Sequence, residues 1–165
     1  MDFGRLLRHL ETPSWIVRRR FPEAAMGAIE SAIAEGEQCH EAEIRFAVEG
    51  ALDPRAILRG VTPRDRAIEV FSELRVWDTE HNTGVLIYLL LADRDVEIVA
   101  DRGVAARVAP AEWEVICREM EAHFREDRYE AGALAGIRAA SDLLAHHFPA
   151  RGPGRGEQPD RPVVL

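Results

Sequence analysis

Three short stretches of the chain carry residue types that hold hard cations. Glu43 opens one apolar run, the loop Asp78-Thr79-Glu80-His81-Asn82-Thr83 precedes a second, and Asp101-Arg102-Gly103 closes a third. Calcium and magnesium need oxygen ligands, commonly gathered from several loops. Carboxylates crowded together raise one another's pKa, and a bound cation relieves the crowding. Glu43, Asp78 and Asp101 are therefore the candidate ligands for a divalent metal. Each stretch also has a plainer reading. Asp101-Arg102-Gly103 can be a strand-ending turn, Asn82-Thr83-Gly84 can be turn chemistry, Glu43 can pair with an arginine, and His81 can be exposed. The metal reading rests on convergence.

Convergence is a matter of topology. Residues 43–49 alternate, with Ile44, Phe46 and Val48 on one face and Arg45 and Ala47 on the other, and form a strand. Residues 84–92 are nearly all apolar, the mark of a central strand covered on both faces. Asp93 and Arg94 turn the chain, and residues 96–101 return as the second arm of a hairpin. Between the first two strands the spacing predicts a helix over 62–76. Thr62 is its N-cap, Pro63 its first residue, and Ala67, Ile68, Phe71 and Leu74 its inner face. Further helices begin at Pro22 (with Met26, Ile29 and Ile33), at Pro110 (with Trp113, Ile116, Cys117, Met120 and Phe124) and at about Tyr129. In the last, Gly132, Gly136 and Ala140 form a groove for close packing.

The predicted order is helix, strand, helix, strand, strand, helix, helix. The fold class is α/β: a three-layer α/β/α sandwich on a small mixed sheet, with a parallel pair joined by a right-handed crossover plus an antiparallel hairpin strand. In that arrangement the starts of the first two strands and the end of the third share one edge. Residues 1–20 form a basic lead-in, in which Leu6, Leu7 and Leu10 have helical spacing and Arg18, Arg19 and Arg20 make a solvated run. Residues 21–149 form one domain. Residues 150–165, rich in Pro, Gly and Arg, are expected to be disordered.

Composition excludes several function classes. A formal charge of -8 over 165 residues argues against nonspecific nucleic-acid binding, which needs a basic face. Lysine is absent, so Schiff-base and P-loop lysine chemistry are out. Cys39 and Cys117 form no CxxC pair. Neither GxSxG, HExxH, GxGxxG nor Walker A occurs, and no organic cofactor is expected. With neither a membrane-length apolar run nor a secretory signal, the expectation is a cytoplasmic monomer without a membrane anchor.

The stretches EAEIRFAVEGAL, VFSELRVWDTEHNTGVLIYLLLADRDVEIVADRGV and HFREDRYEAGALAGI resemble the TPM-domain family. That family includes a chloroplast thylakoid-lumen protein implicated in photosystem II repair and many bacterial proteins. The resemblance covers residues 21–149 and is most specific in the NxGVLIY–strand–DxG block. It implies an α/β/α sandwich, binding of calcium or another divalent metal, and acid-phosphatase activity. By motif match Glu43 falls on the acidic position opening the first strand, Asn82 and Gly84 on the NxG before the second, and Asp101 and Gly103 in the turn after the third. Asn82, Gly84 and Gly103 are thus candidate ligand-binding residues. Asp101 and Arg102 are candidate catalytic residues, with a metal polarising a phosphoryl oxygen and Arg102 neutralising phosphate charge. Relatives often carry an aspartate where Ala109-Pro110-Ala111 stands here, and glycine where Glu126-Asp127 stands; Asp127 is a candidate compensating acid. No nucleophile–base pair is evident. The expected function is therefore a metal-binding interaction or assembly module with an unidentified protein partner, with a metal-dependent phosphatase-like hydrolase as the alternative.

Overall fold

A computed structural model of the chain describes residues 3–152 and 156–165. Along it run α1 (Phe3–Leu10), α2 (Trp15–Arg20), α3 (Glu23–Gly36), β1 (Glu43–Glu49), α4 (Pro54–Leu58) and α5 (Pro63–Glu73). There follow β2 (Gly84–Leu90), β3 (Asp95–Ala100), α6 (Arg102–Ala105), α7 (Pro110–Arg125), α8 (Tyr129–His147) and β4 (Val163–Val164). The sheet order is β3-β2-β1-β4. β1 and β2 are parallel, Glu43 opposite Gly84, and β2 and β3 antiparallel, Val85 opposite Ala100.

Every side chain of β2 is buried, as a strand sandwiched between two layers requires. On one face Ile44, Phe46, Ile87 and Ile98 pack with Ile29, Met120, Phe124 and Ile137, which makes α3, α7 and α8 one layer. On the other, Ala47, Leu86, Tyr88 and Val99 pack with Ile57, Ala67, Val70 and Phe71 of α4 and α5. The three-layer α/β/α sandwich with a mixed sheet is what the sequence predicts.

Local chemistry sets the helix starts. The Thr62 hydroxyl accepts from Asp65 N at 3.1 Å, Asp65 Oδ2 accepts from Thr62 N at 2.9 Å, and Pro63 holds the first turn. The inner face of α5 is Ala67, Val70 and Phe71; Ile68 lies on the exposed face, and Leu74, just past the helix end at Glu73, is half-buried. In α8, a Cβ on Gly136 would run into the Met120 side chain, so the small-residue groove serves the close packing of α7.

Two segments depart from expectation. The basic lead-in is two helices, α1 burying His9 and α2 burying Val17. The tail expected to be disordered instead contributes structure. Val163 and Val164 pair in parallel with Ala47 and Val48, Leu165 N donates to Val48 O at 3.0 Å, and Gln158 and Pro162 are buried. An edge strand with bare N–H and C=O groups needs covering, and this short segment covers β1. Residues 1, 2 and 153–155 of these two segments lie outside the described residues. No helix among the described residues is long and apolar enough to cross a membrane.

Candidate functional site at the rim of the sheet

The strand starts do meet at one rim. Glu43 lies opposite Gly84, and Asp101 N donates to Gly84 O at 2.9 Å, which extends the hairpin register by one row. Glu43, Gly84 and Asp101 therefore form a transverse row across three strands. Side-chain alternation gives Glu43 and Asp101 the face that holds Ala47 and Val99. With strands about 4.8 Å apart, their Cα atoms stand about 10 Å from each other. The space between is filled. A Cβ on Gly84 would coincide with the Val76 carbonyl oxygen, so this glycine lets the end of the crossover lie flat on the sheet.

Asp101 works first as a cap. Its Oδ1 accepts from Arg102 N at 2.7 Å and starts α6, while its Oδ2 is buried without a hydrogen-bond partner among the described residues. Arg102 donates to Asn82 Oδ1 at 3.1 Å, and Gly103 N donates to Asn82 O at 2.9 Å. Asn82 adopts φ 55°, a left-handed conformation that asparagine tolerates well. A Cβ on Gly103 would stand 2.5 Å from the carbonyl oxygens of both His81 and Asn82. Asn82, Asp101, Arg102 and Gly103 thus form one clasp between the β2 entry loop and the β3 exit.

Glu43 belongs to a different group. It is buried, and its Oε2 accepts from Gln158 N at 2.9 Å. Gln158 Nε2 in turn donates to the carbonyl oxygens of Arg75 and Asp78, at 3.1 and 3.3 Å. Glu37 lies in the same pocket of charge, its Oε1 accepting from Ile44 N at 2.8 Å. Burial, then the nearby Glu43 and Asp160 carboxylates, push the Glu37 carboxyl up to about 8; the Ile44 amide opposes them. Burial likewise raises Glu43 against the pull of the Gln158 and Glu157 amides. Arg45, beside them, donates to the Pro159 carbonyl. The C-terminal strap, residues 157–165, lies over this group.

Of the three candidate metal ligands, Glu43 is held by the strap and Asp78 is exposed, serving Gln158 through its backbone. Among the described residues no three His, Cys, Asp or Glu side chains group where they could hold a metal ion. The residues do not fit a protein-caged calcium. Asp101 Oδ2 is a buried carboxylate oxygen left without a donor among the described residues, an orphaned acceptor that a directly bound cation would satisfy. Asp127 lies away from the rim, ion-paired with Arg20 at 3.0 Å, and supplies no substitute ligand there.

Next to the clasp opens a cavity of about 320 Å³ lined by His81, Thr83, Gly103, Arg107 and His147. The sequence reading missed Arg107 and His147, and it missed Glu37, Arg45 and Gln158. One signal was present: Glu43 and Arg45, two charges two residues apart on a strand with helices on both faces, require a polar cover. Trp77, just ahead of the rim loop, is 47% exposed.

Comparison with known proteins agrees with this architecture. The TPM domain model matches residues 20–143. The NMR structure of the BA42 protein from the psychrophilic bacterium Bizionia argentinensis superposes with a TM-score of 0.76 at 27% identity, covering 86% of this chain and 93% of that one. The N-terminal domain of a P. gingivalis protein superposes with a TM-score of 0.61 at 18% identity, over 79% of this chain and 82% of that one, a likeness of fold. No curated protein matches the chain. With a family model spanning most of its length and the α/β/α sandwich in place, the chain belongs to the TPM domain family.

Proposed function

We propose that the chain is a binding module whose working surface is the rim. Asp101 takes a divalent cation, calcium or magnesium, directly on its buried Oδ2, and the loop after α5 presents Trp77 to a protein partner. The observation that carries this reading is Trp77 itself. A large aromatic side chain left 47% exposed beside a polar loop is the kind of anchor that protein interfaces use. Among the described residues the rim pairs no nucleophile with an adjacent base, which favours binding over covalent chemistry. An NMR titration with calcium and with magnesium tests the cation half. Amide shifts confined to residues 78–84 and 101–104 are expected, lost in Asp101→Asn; shifts elsewhere, or none, would end it. For the partner half, Trp77→Ala should abolish a capture that the native chain gives.

A second reading has its own support. Gly103, the neighbour of the Asp101–Arg102 pair, lines the cavity that holds Arg107, His81 and His147, groups suited to a phosphate oxyanion. The chain would then act on phosphate monoesters, with Arg102 and Arg107 gripping the phosphoryl oxygens. Phosphate release from an aryl phosphate should fall at least about tenfold in Asp101→Asn. Equal rates in the two proteins would remove Asp101 from any such chemistry.

A further inference from the structure

The C-terminal strap grips two parts of the molecule at once. Towards β1, Gln158 N donates to Glu43 Oε2 at 2.9 Å, Arg45 donates to the Pro159 carbonyl, and Leu165 N donates to Val48 O at 3.0 Å. Towards the rim, Gln158 Nε2 donates to the carbonyl oxygens of Arg75 and Asp78, and Glu157 Oε2 accepts from Glu80 N at 2.7 Å. These last bonds bracket Trp77. The strap therefore sets the backbone of the loop that carries this exposed ring. Its own ladder on β1 is short, because β4 is two residues long.

Under the strap sits a group of carboxyls. Glu37, which caps the end of α3, and Glu43, which opens β1, are both buried. Glu157 and Asp160 approach them from the strap. Arg45 is the guanidinium that faces Glu37 and Asp160. Arg161 turns outward and pairs with exposed Glu23 at 2.9 Å. Arg75, Asp78 and Glu80 bond the strap through backbone atoms. Within the group, the Glu37 and Asp160 side chains are hydrogen-bonded to each other. Two carboxylates cannot make that bond; one of them must carry a proton and donate it. Lifting the strap would give Glu37 to water, where it ionises as an ordinary carboxylate. Closure therefore takes up a proton.

We propose that the strap is a proton-held latch on the rim loop. A proton between Glu37 and Asp160 keeps it shut. When that proton leaves, two carboxylates face each other beside Glu43 and Glu157, the strap lifts, and the loop carrying Trp77 is released. As regulation of the rim the latch rests on the binding reading above; its contacts stand without it. The direction follows from linkage. Glu37 ionises at about 4.5 when freed and at about 8 when covered, chiefly through burial. Closure is at full strength below 4.5, weakens up to about tenfold for each pH unit above that, and levels off beyond 8.

Amide hydrogen exchange of the full chain, followed by NMR from about pH 5 to about pH 8 and corrected for the intrinsic rate, reads this opening. Protection at Gln158 and Leu165 should fall at least about hundredfold over that range, with Glu80 falling alongside, while β2 amides stay more protected throughout. Glu37→Gln keeps an acceptor for Ile44 N and a donor for Asp160 but cannot ionise. Its strap protection should fall less than about tenfold, the remainder belonging to Glu43, which burial also raises. A flat native profile, an equal fall in Glu37→Gln, strap protection no lower than that of β2, or a Glu80 amide indifferent to the strap would each overturn the latch. None of these readouts involves a cation or a partner, so failure of the latch and failure of rim binding are told apart.

Discussion

Glu37 offers the sharpest test of the polar group beneath the C-terminal strap. The residue is 7% exposed, and burial is the chief cause that pushes its carboxyl from the ordinary 4.5 up to about 8. The unfolded chain therefore ionises Glu37 at about 4.5, while the folded chain holds it neutral until about 8. The stability it confers is fully present below pH 4.5 and is lost as pH rises towards 8, where the loss levels off. Each tenfold in proton affinity is worth about 1.4 kcal/mol, so the loss amounts to about 3 kcal/mol by pH 7 and on the order of 4 kcal/mol above pH 8. Glu37→Gln keeps an oxygen to accept from Ile44 N and removes the titration. Urea unfolding of both proteins from pH 4.5 to 8.5 should show the variant gaining on the native chain throughout. The difference between the curves isolates Glu37 from the other groups that titrate there. Parallel curves would refute the reasoning.

Other perturbations read other parts of the fold. Gly84→Ala places a methyl on the Val76 carbonyl oxygen, so it should cost about 3 kcal/mol or prevent folding, measured by urea unfolding. Thr62→Ala breaks the capping box of α5 and should cost about 1 kcal/mol in the same assay. Burial lowers the His40 pKa to about 4, so its contribution holds above 6.5 and is lost as pH falls through 4; NMR titration of the ring should find it neutral at pH 5. Removing residues 157–165 uncovers the β1 edge, so hydrogen exchange should accelerate at Ala47 and Val48 while β2 stays protected.

How far the sequence disclosed the molecule depended on whether a signal was local. Thr62, Pro63 and Asp65 sit within one turn and announce α5 unaided. The apolar run from Gly84 needs two covered faces and so locates the sheet centre. A helix between two strands implies the parallel pair. The strap left no such trace: in residues 157–165 only Val163 and Val164 favour a strand, and their partners lie more than a hundred positions earlier. The ion pairs of Asp93 and Asp127 were hidden for the same reason. Arg8, Arg20, Arg94 and Asp127 meet only after α1 and α2 dock on the hairpin turn, and in the sequence the run Arg18 to Arg20 looks like a solvated face.

The rim shows why topology alone does not make a metal site. Strand order and register fix where backbones meet, and they bring Glu43, Gly84 and Asp101 into one row. Side chains are then claimed by the nearest unsatisfied group. A buried carboxylate without a donor is costly, and the closest donors to Glu43 and Asp101 are backbone amides, of Gln158 and Arg102 respectively. Once those bonds form, Asp101 Oδ2 is left buried without a donor and Asp78 is left exposed, so among the described residues no three side chains are grouped on one ion. The acidic rim has in this way consumed most of its charge internally.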